Sequence, residues 1–341
     1  MLNIERESKR FFNQICRKAL FLFFIFSISC AEHDKNLHSY SIDSVINSSD
    51  EYIAVFGDVQ KYTYSEWTIK PFLRTLTWIN TQNNFYNNFA CVMEVGDVTN
   101  DNIEEEWKIY DDAIKQELSC NIPVFSCTGN HDYTWGDNKR INDRKSSFIN
   151  KYLSHYFPDS LVKARFEPNR VDNIIVKIPF RHRQIDLIIL EYAPRKEAVE
   201  WVAELVKNHP NQKYILMTHE MLTSDGEIAS EAYAWSSFYS TNSTWSSPKF
   251  IIENILKPCP NVVATICGHN GHAILNDSQL NVDGRHIPII LFNLQYQKDG
   301  GDSQILLLRF PENENLFECI TYHTDSRTIL ETNLSYRIIE Y

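Results

Sequence analysis

Apolar runs of four to six residues recur along the chain at 52–56, 90–95, 124–127, 187–190, 214–217 and 262–267. They are rich in β-branched or aromatic side chains and nearly continuous rather than alternating, which predicts strands buried on both faces. Between them, 67–80, 103–118 and 196–208 read as helices, so strand and helix alternate as in an α/β sheet protein. Glu104, Glu105 and Glu106 fit the first turn of the second helix, where negative charge favours the dipole. No internal repeat interrupts the pattern.

The first thirty residues differ in composition from everything that follows. Arg6, Lys9, Arg10, Arg17 and Lys18 precede an apolar stretch, 19–28, too short to cross a bilayer comfortably, and Ser29 and Cys30 close it. That charged, apolar, small order predicts an export signal over 1–30. The segment Ser27-Ile28-Ser29-Cys30 resembles the lipobox of bacterial lipoproteins, with Ser27 where Leu is usual, and the resemblance implies a lipidated Cys30 as the one membrane attachment of a periplasmic, outer-membrane or cell-surface lipoprotein. Ordinary secretion or an uncleaved anchor is the alternative. Residues 31–50, rich in Ser, Asp and Asn, read as a polar tether, which leaves 51–341 as a single folded domain.

Composition narrows the function. With 341 residues, 43% hydrophobic and 13% aromatic, the chain can bury a large core. A formal charge of −11 argues against an extended nucleic-acid surface. Eight cysteines include no CxxC pair, and those in apolar runs behave as small hydrophobes; export permits a disulfide, for example from Cys120 or Cys259, without specifying one.

The chemistry lies just beyond the ends of the strands. The first run leads into Gly57-Asp58-Val59-Gln60, the second into Gly96-Asp97-Val98-Thr99-Asn100, and the third into Thr128-Gly129-Asn130-His131-Asp132. Later runs end in Thr218-His219-Glu220 and Gly268-His269-Asn270-Gly271-His272. In open α/β sheets ligands bind beyond the carboxyl ends of strands, so five clusters distant in sequence can converge. Carboxylates bind divalent cations, and neutral imidazole and amide oxygen complete a shell without excess charge. Two such ions about 3.5–4 Å apart activate water and clamp an in-line displacement at phosphorus.

In order and content these motifs resemble those of the calcineurin-like metallophosphoesterase superfamily, across nearly all of 51–325. The resemblance implies a four-layer α-β-β-α sandwich of two mixed sheets. It implies two metal ions, of the Mn, Zn, Fe or Mg type, with Asp58, Gln60 and His272 on the first, Asn130, His219 and His269 on the second, and Asp97 bridging. His131 would be catalytic and Asp132 would orient it. The implied activity is hydrolysis of a small phosphomonoester or phosphodiester by attack of a metal-bound hydroxide. Two departures qualify it: Gln60 stands where the family has His, and Gly-His-Asn-Gly-His is one residue longer than the usual spacing, which leaves His269 the firmer ligand. The alternative is a surface lipoprotein that keeps a weakened site for binding a ligand or glycan. Two further expectations concern the surroundings. Arg140, Arg144, Lys145, Lys151, Lys163, Arg165 and Arg170 form a locally basic insert that is either a cationic wall for phosphate or a solvated surface, and the aromatic stretch from Tyr233 to Trp245 either faces substrate or packs.

Overall fold

The computed structural model describes residues 42–119, 121–134, 143–230 and 244–341. The expected leader with Cys30, most of the expected tether, Cys120, Arg140 and the stretch from Tyr233 to residue 243 lie outside the described residues. Among the described residues no helix is long and apolar enough to cross a membrane.

Each predicted strand is present. β1 (Glu51–Phe56), β2 (Phe89–Glu94) and β3 (Val124–Ser126) are parallel neighbours in a seven-stranded sheet, ordered β13-β12-β11-β1-β2-β3 with β14 also paired to β12. The members β11 (Gln304–Phe310), β12 (Leu316–His323), β13 (Thr328–Ile329) and β14 (Arg337–Glu340) come from the end of the chain. The second sheet, ordered β4-β5-β6-β7-β8-β10-β9, is made wholly from the intervening chain. Its strands are β4 (Val162–Arg165), β5 (Ile174–Lys177), β6 (Ile185–Ile189), β7 (Lys213–Met217), β8 (Val262–Cys267), β9 (His272–Asn276) and β10 (Ile289–Asn293).

Strand parity shows why the runs lack alternation. Leu187 and Ile189 of β6 enter the large core shared with Val55 of β1, while Ile188 enters a second core with Val199 and Val202 of α3 (Lys196–Asn208). Both faces of the run therefore call for apolar side chains. On the outer face of the first sheet lie α1 (Lys70–Tyr86) and α2 (Glu104–Glu117). Phe72 of α1 meets Phe56 edge-on with centroids 4.9 Å apart, and Trp78 meets Tyr322 at 5.4 Å. The result is the α-β-β-α sandwich of two mixed sheets.

Local chemistry sets the boundaries. α1 begins three residues later than predicted because Pro71 occupies its first turn, where a missing N–H costs nothing, and it runs on to Asn87, whose φ of 50° ends it. α2 carries its three glutamates in the first turn as expected, and Glu106 Oε2 also accepts from the backbone N–H groups of Asn100 (3.0 Å) and Asp101 (2.9 Å). Residues 46–50, inside the segment read as tether, are pinned to the body: Ile46 is buried, Asn88 Nδ2 donates to the Asn47 carbonyl at 2.9 Å, and Arg309 donates to Asp50 at 2.7 Å. The five described cysteines are buried and unpaired.

Candidate functional site

Asp58, Asp97 and Asn130 follow β1, β2 and β3 of one sheet, and His219 and His269 follow β7 and β8 of the other, so the site straddles the edge where the two sheets meet. The loops approach so closely that side chains are excluded. A Cβ on Gly129 would lie 2.1 Å from Asp97 Oδ1, and one on Gly268 would lie 2.4 Å from Asp58 Oδ1. Asp97 (φ 55°) and His269 (φ 69°) themselves sit in the left-handed region, a strained conformation common at ligand sites.

Around His219 the polar atoms converge in a way that calls for a cation. His219 is fully buried, and its Nδ1 donates to the Val95 carbonyl at 2.7 Å. Its Nε2 then faces Asp97 Oδ2 at 3.4 Å, Asn130 Oδ1 at 3.2 Å and His269 Nδ1 at 3.1 Å. Ligand atoms of Asp97, His219 and His269 all lie within 4.8 Å of one another. Four lone-pair atoms pointing at one another, two imidazole nitrogens, a carboxylate oxygen and an amide oxygen, suit a divalent metal. Without one, a proton serves: burial opposes charge on His219, but the Asp97 and Asp58 carboxylates outweigh it and push its pKa up to about 10. In the same field Asp97, despite burial, is held well below the usual carboxylate range by His219 and His131.

His131 belongs to the same cavity, of about 350 Å³, whose walls also include Asp97, Asn130, His269, Ser224 and Tyr296. Its backbone N–H donates to Asp97 Oδ1 at 2.8 Å, and its ring Nδ1 meets the Asn100 carbonyl at 2.6 Å. Asp132 does not orient it. The Asp132 carboxylate is fully buried and accepts from the backbone N–H groups of Gly129 (2.8 Å), Thr99 (2.9 Å) and Val98 (3.2 Å) and from the Thr99 hydroxyl (3.0 Å). It ties the second and third ligand loops together. The backbone oxygen of Asn100 takes the place the carboxylate was expected to fill.

His272 is a second correction. It is exposed at the first position of β9, paired with Asn293, and is not among the residues around the cavity. The extra residue in Gly-His-Asn-Gly-His carries the chain past the site before the second histidine. Near Asp58 the structure instead places Asn293 and Gln295 at the carboxyl end of β10, which sequence reading missed. The signal was there, since 288–292 is another apolar run leading into amides, but it ends in no acid or histidine. Asn293 Nδ2 and Gln295 Nε2 each donate to Asp58 Oδ2 at 2.6 Å, and the backbone N–H of His269 donates to Oδ1 at 3.0 Å. Gln60 is buried beside them, its Nε2 donating to Gln295 Oε1 at 2.8 Å and to Asp97 Oδ2 at 3.3 Å. Burial, first of all, raises the Asp58 pKa well above the usual range.

Three cations of the basic insert are engaged by partners, mostly from other parts of the chain. Arg144 donates to the carbonyls of Tyr192 (2.5 Å) and Ala193 and stacks over buried Trp245, 4.4 Å from the ring centroid. Lys151 pairs with Glu104, and Arg170 pairs with Asp172 at 2.9 Å.

A family model described as calcineurin-like phosphoesterase matches residues 52–273. The chain belongs to that family. As a family member it is 23% identical over 294 residues to the uncharacterized protein YvnB of Bacillus subtilis (strain 168), covering 82% of this chain and 20% of that protein. The chain thus spans about a fifth of that relative's length. Among solved structures this phosphoesterase fold is similar to purple acid phosphatase PPD1 from yellow lupin (Lupinus luteus) seeds, with a TM-score of 0.51 at 11% identity over 84% of this chain and 53% of that one. It also matches the 5'-nucleotidase of Candida albicans SC5314, with a TM-score of 0.44 at 13% identity over 83% of this chain and 54% of that one. The chain spans about half of each of these proteins.

Proposed function

We propose that this chain is a metal-dependent phosphoesterase acting on small phosphate esters. The observation that carries the reading is the placing of His131: its backbone is hydrogen-bonded to Asp97 and its ring is held by Asn100 at the wall of the cavity that the cation-suited cluster faces. Asp97, Asn130, His219 and His269 would hold the ion, which when bound supplies Lewis acidity toward a phosphoryl oxygen and toward water. The chain's own residues do the rest. Donation from Nδ1 to the Asn100 carbonyl leaves Nε2 as the working nitrogen: in the imidazolium form, with a proton on each nitrogen, Nε2 would give its proton to the leaving oxygen or hydrogen-bond a phosphoryl oxygen. Asp132 keeps the loops of Asp97 and Asn130 at fixed separation, so that histidine and ligands hold one geometry. A cavity of about 350 Å³ admits a phosphoryl group with a compact leaving group rather than a polymer.

The family membership and a cavity of about 350 Å³ support hydrolysis of a small ester over capture of a large polyanion. The leader read in residues 1–30 would deliver the enzyme outside the cytoplasm as a lipoprotein on Cys30. The test is turnover of p-nitrophenyl phosphate and bis-p-nitrophenyl phosphate by protein stripped of metal and reloaded with Mn²⁺, Zn²⁺ or Fe²⁺, beside His131→Ala. Metal-restored turnover that collapses in the variant is expected. A protein that binds metal yet turns over neither ester with any ion would replace this reading with the ligand-binding one.

A further inference from the structure

The amides around Asp58 sit where the family resemblance would put a first metal ion, and their orientation is fixed by their partners. Asn293 Oδ1 accepts the backbone N–H of Gln295 at 3.0 Å, and Asn293 Nδ2 donates to the His269 carbonyl at 3.1 Å as well as to Asp58, so it is the NH₂ end of Asn293 that faces Asp58. Gln295 Oε1 is taken by Gln60, which leaves Gln295 Nε2 for Asp58. Gln60 Nε2 reaches on to Asp97 Oδ2. Three amides in a row therefore aim N–H groups at the oxygens of Asp58 and Asp97 that a cation there would need.

Donors repel a cation where acceptors would bind it, so this position does not fit a metal ion. Of the other groups expected there, His272 is exposed at the first position of β9, and Gln60 offers a single atom, Oε1, buried without a hydrogen-bond partner among the described residues. One oxygen is too few where a divalent ion needs several. Three amide dipoles supply in neutral form part of the positive potential that an ion would have given the two carboxylates.

We propose that the centre is mononuclear: one ion on Asp97, Asn130, His219 and His269, with the row Gln60, Gln295, Asn293 standing in place of the other. The inference rests on the metallophosphoesterase reading only for the presence of an ion, and its readout is a count of ions rather than a rate. The full chain is stripped of metal and titrated calorimetrically with Zn²⁺ and with Mn²⁺, and bound metal is counted by plasma mass spectrometry after desalting. One equivalent is expected in the wild type, one in Asp58→Asn, and none in His219→Ala. Should Asp58→Asn fail to fold, Gln60→Leu asks the same question, since it removes the one amide oxygen left over and is expected to keep one equivalent. Two tight equivalents in the wild type, one of them lost in Asp58→Asn or Gln60→Leu, would overturn the proposal, and so would no binding at all. A single equivalent without ester hydrolysis would leave this inference standing and sink the proposed activity. Two equivalents with hydrolysis would do the reverse.

Discussion

The ring nitrogen Nδ1 of His131 lies 2.6 Å from the carbonyl oxygen of Asn100, and Asn100 is itself held by Glu106 at the start of α2. The proposed proton carrier is thus positioned by a backbone group anchored to a helix. His131→Ala should lower kcat by about two to four orders of magnitude and leave metal content and Tm unchanged. A kcat within threefold of the wild type would remove His131 from the chemistry.

Asp132 makes a contrasting prediction. Its loss leaves buried N–H groups of Val98, Thr99 and Gly129 without an acceptor, at about 1–3 kcal/mol for each unsatisfied group. Asp132→Ala should therefore destabilise the fold by about 3 kcal/mol or more in urea titrations, with activity falling as a consequence. An unchanged midpoint with a large drop in kcat would return Asp132 to a role on the histidine.

Arg144 should matter for stability and not for substrate. It is stacked against Trp245, and its two terminal nitrogens donate to the carbonyls of Tyr192 and Ala193, with Glu191 3.6 Å away. Arg144→Ala is expected to cost about 2–4 kcal/mol and to leave KM for p-nitrophenyl phosphate within twofold. A tenfold rise in KM at unchanged Tm would restore the cationic wall.

Glu94, fully buried at the end of β2 and hydrogen-bonded by the Ser126 hydroxyl, has its pKa raised well above the usual range, first by burial and then by the Asp132 charge. A carboxyl with a raised folded pKa stabilises the fold below its unfolded value, near 4.5, and that contribution is lost as pH rises through the folded value. Glu94→Gln should match the wild type in stability near pH 4 and be the more stable of the two at pH 8. Parallel Tm profiles for the two proteins across that range would show that Glu94 does not titrate in this way.

Tyr296, 73% exposed at the cavity mouth with its ring against Gly271, is placed to stack on an aromatic leaving group. Tyr296→Ala should raise KM for an aryl phosphate by roughly two- to tenfold, the value of about 0.5–1.5 kcal/mol of ring contact, and leave an alkyl phosphate such as glycerol phosphate unaffected. Equal effects on both would assign the ring to packing.

The six strands read from the sequence were legible because each is buried on two faces and so leaves a run of apolar letters, whereas exposed strands such as β4, β13 and β14 leave none; the ligands were legible where an acid or histidine breaks such a run. Asn293 and Gln295 escaped because amides after a strand look like any turn, and their meaning depends on Asp58, some 235 positions away. The role of Asp132 was hidden because its bonds go to backbone N–H groups, which leave no mark on residue identity. His272 carried the right letter in the wrong place. A single inserted residue moved it onto a strand edge, and spacing alone said only that the turn was different. The basic insert misled because net local charge says nothing about partners, and Arg144 finds its partners about fifty residues downstream.

The threading of the first sheet bears on how the protein is made. β1 lies between β2 and β11, which pair Val55 with Met93 on one side and Leu306 on the other. While residues 304–310 are still to be synthesised, β1 has a bare hydrogen-bonding edge and nothing of the kind that β11 supplies to cover it. The first sheet thus depends on a late arrival, so a nascent or truncated chain is exposed to aggregation for most of its synthesis, and long-range pairing of this kind folds slowly. Under the export proposed above, that delay is an advantage: a polypeptide that cannot close its central sheet early remains threadable.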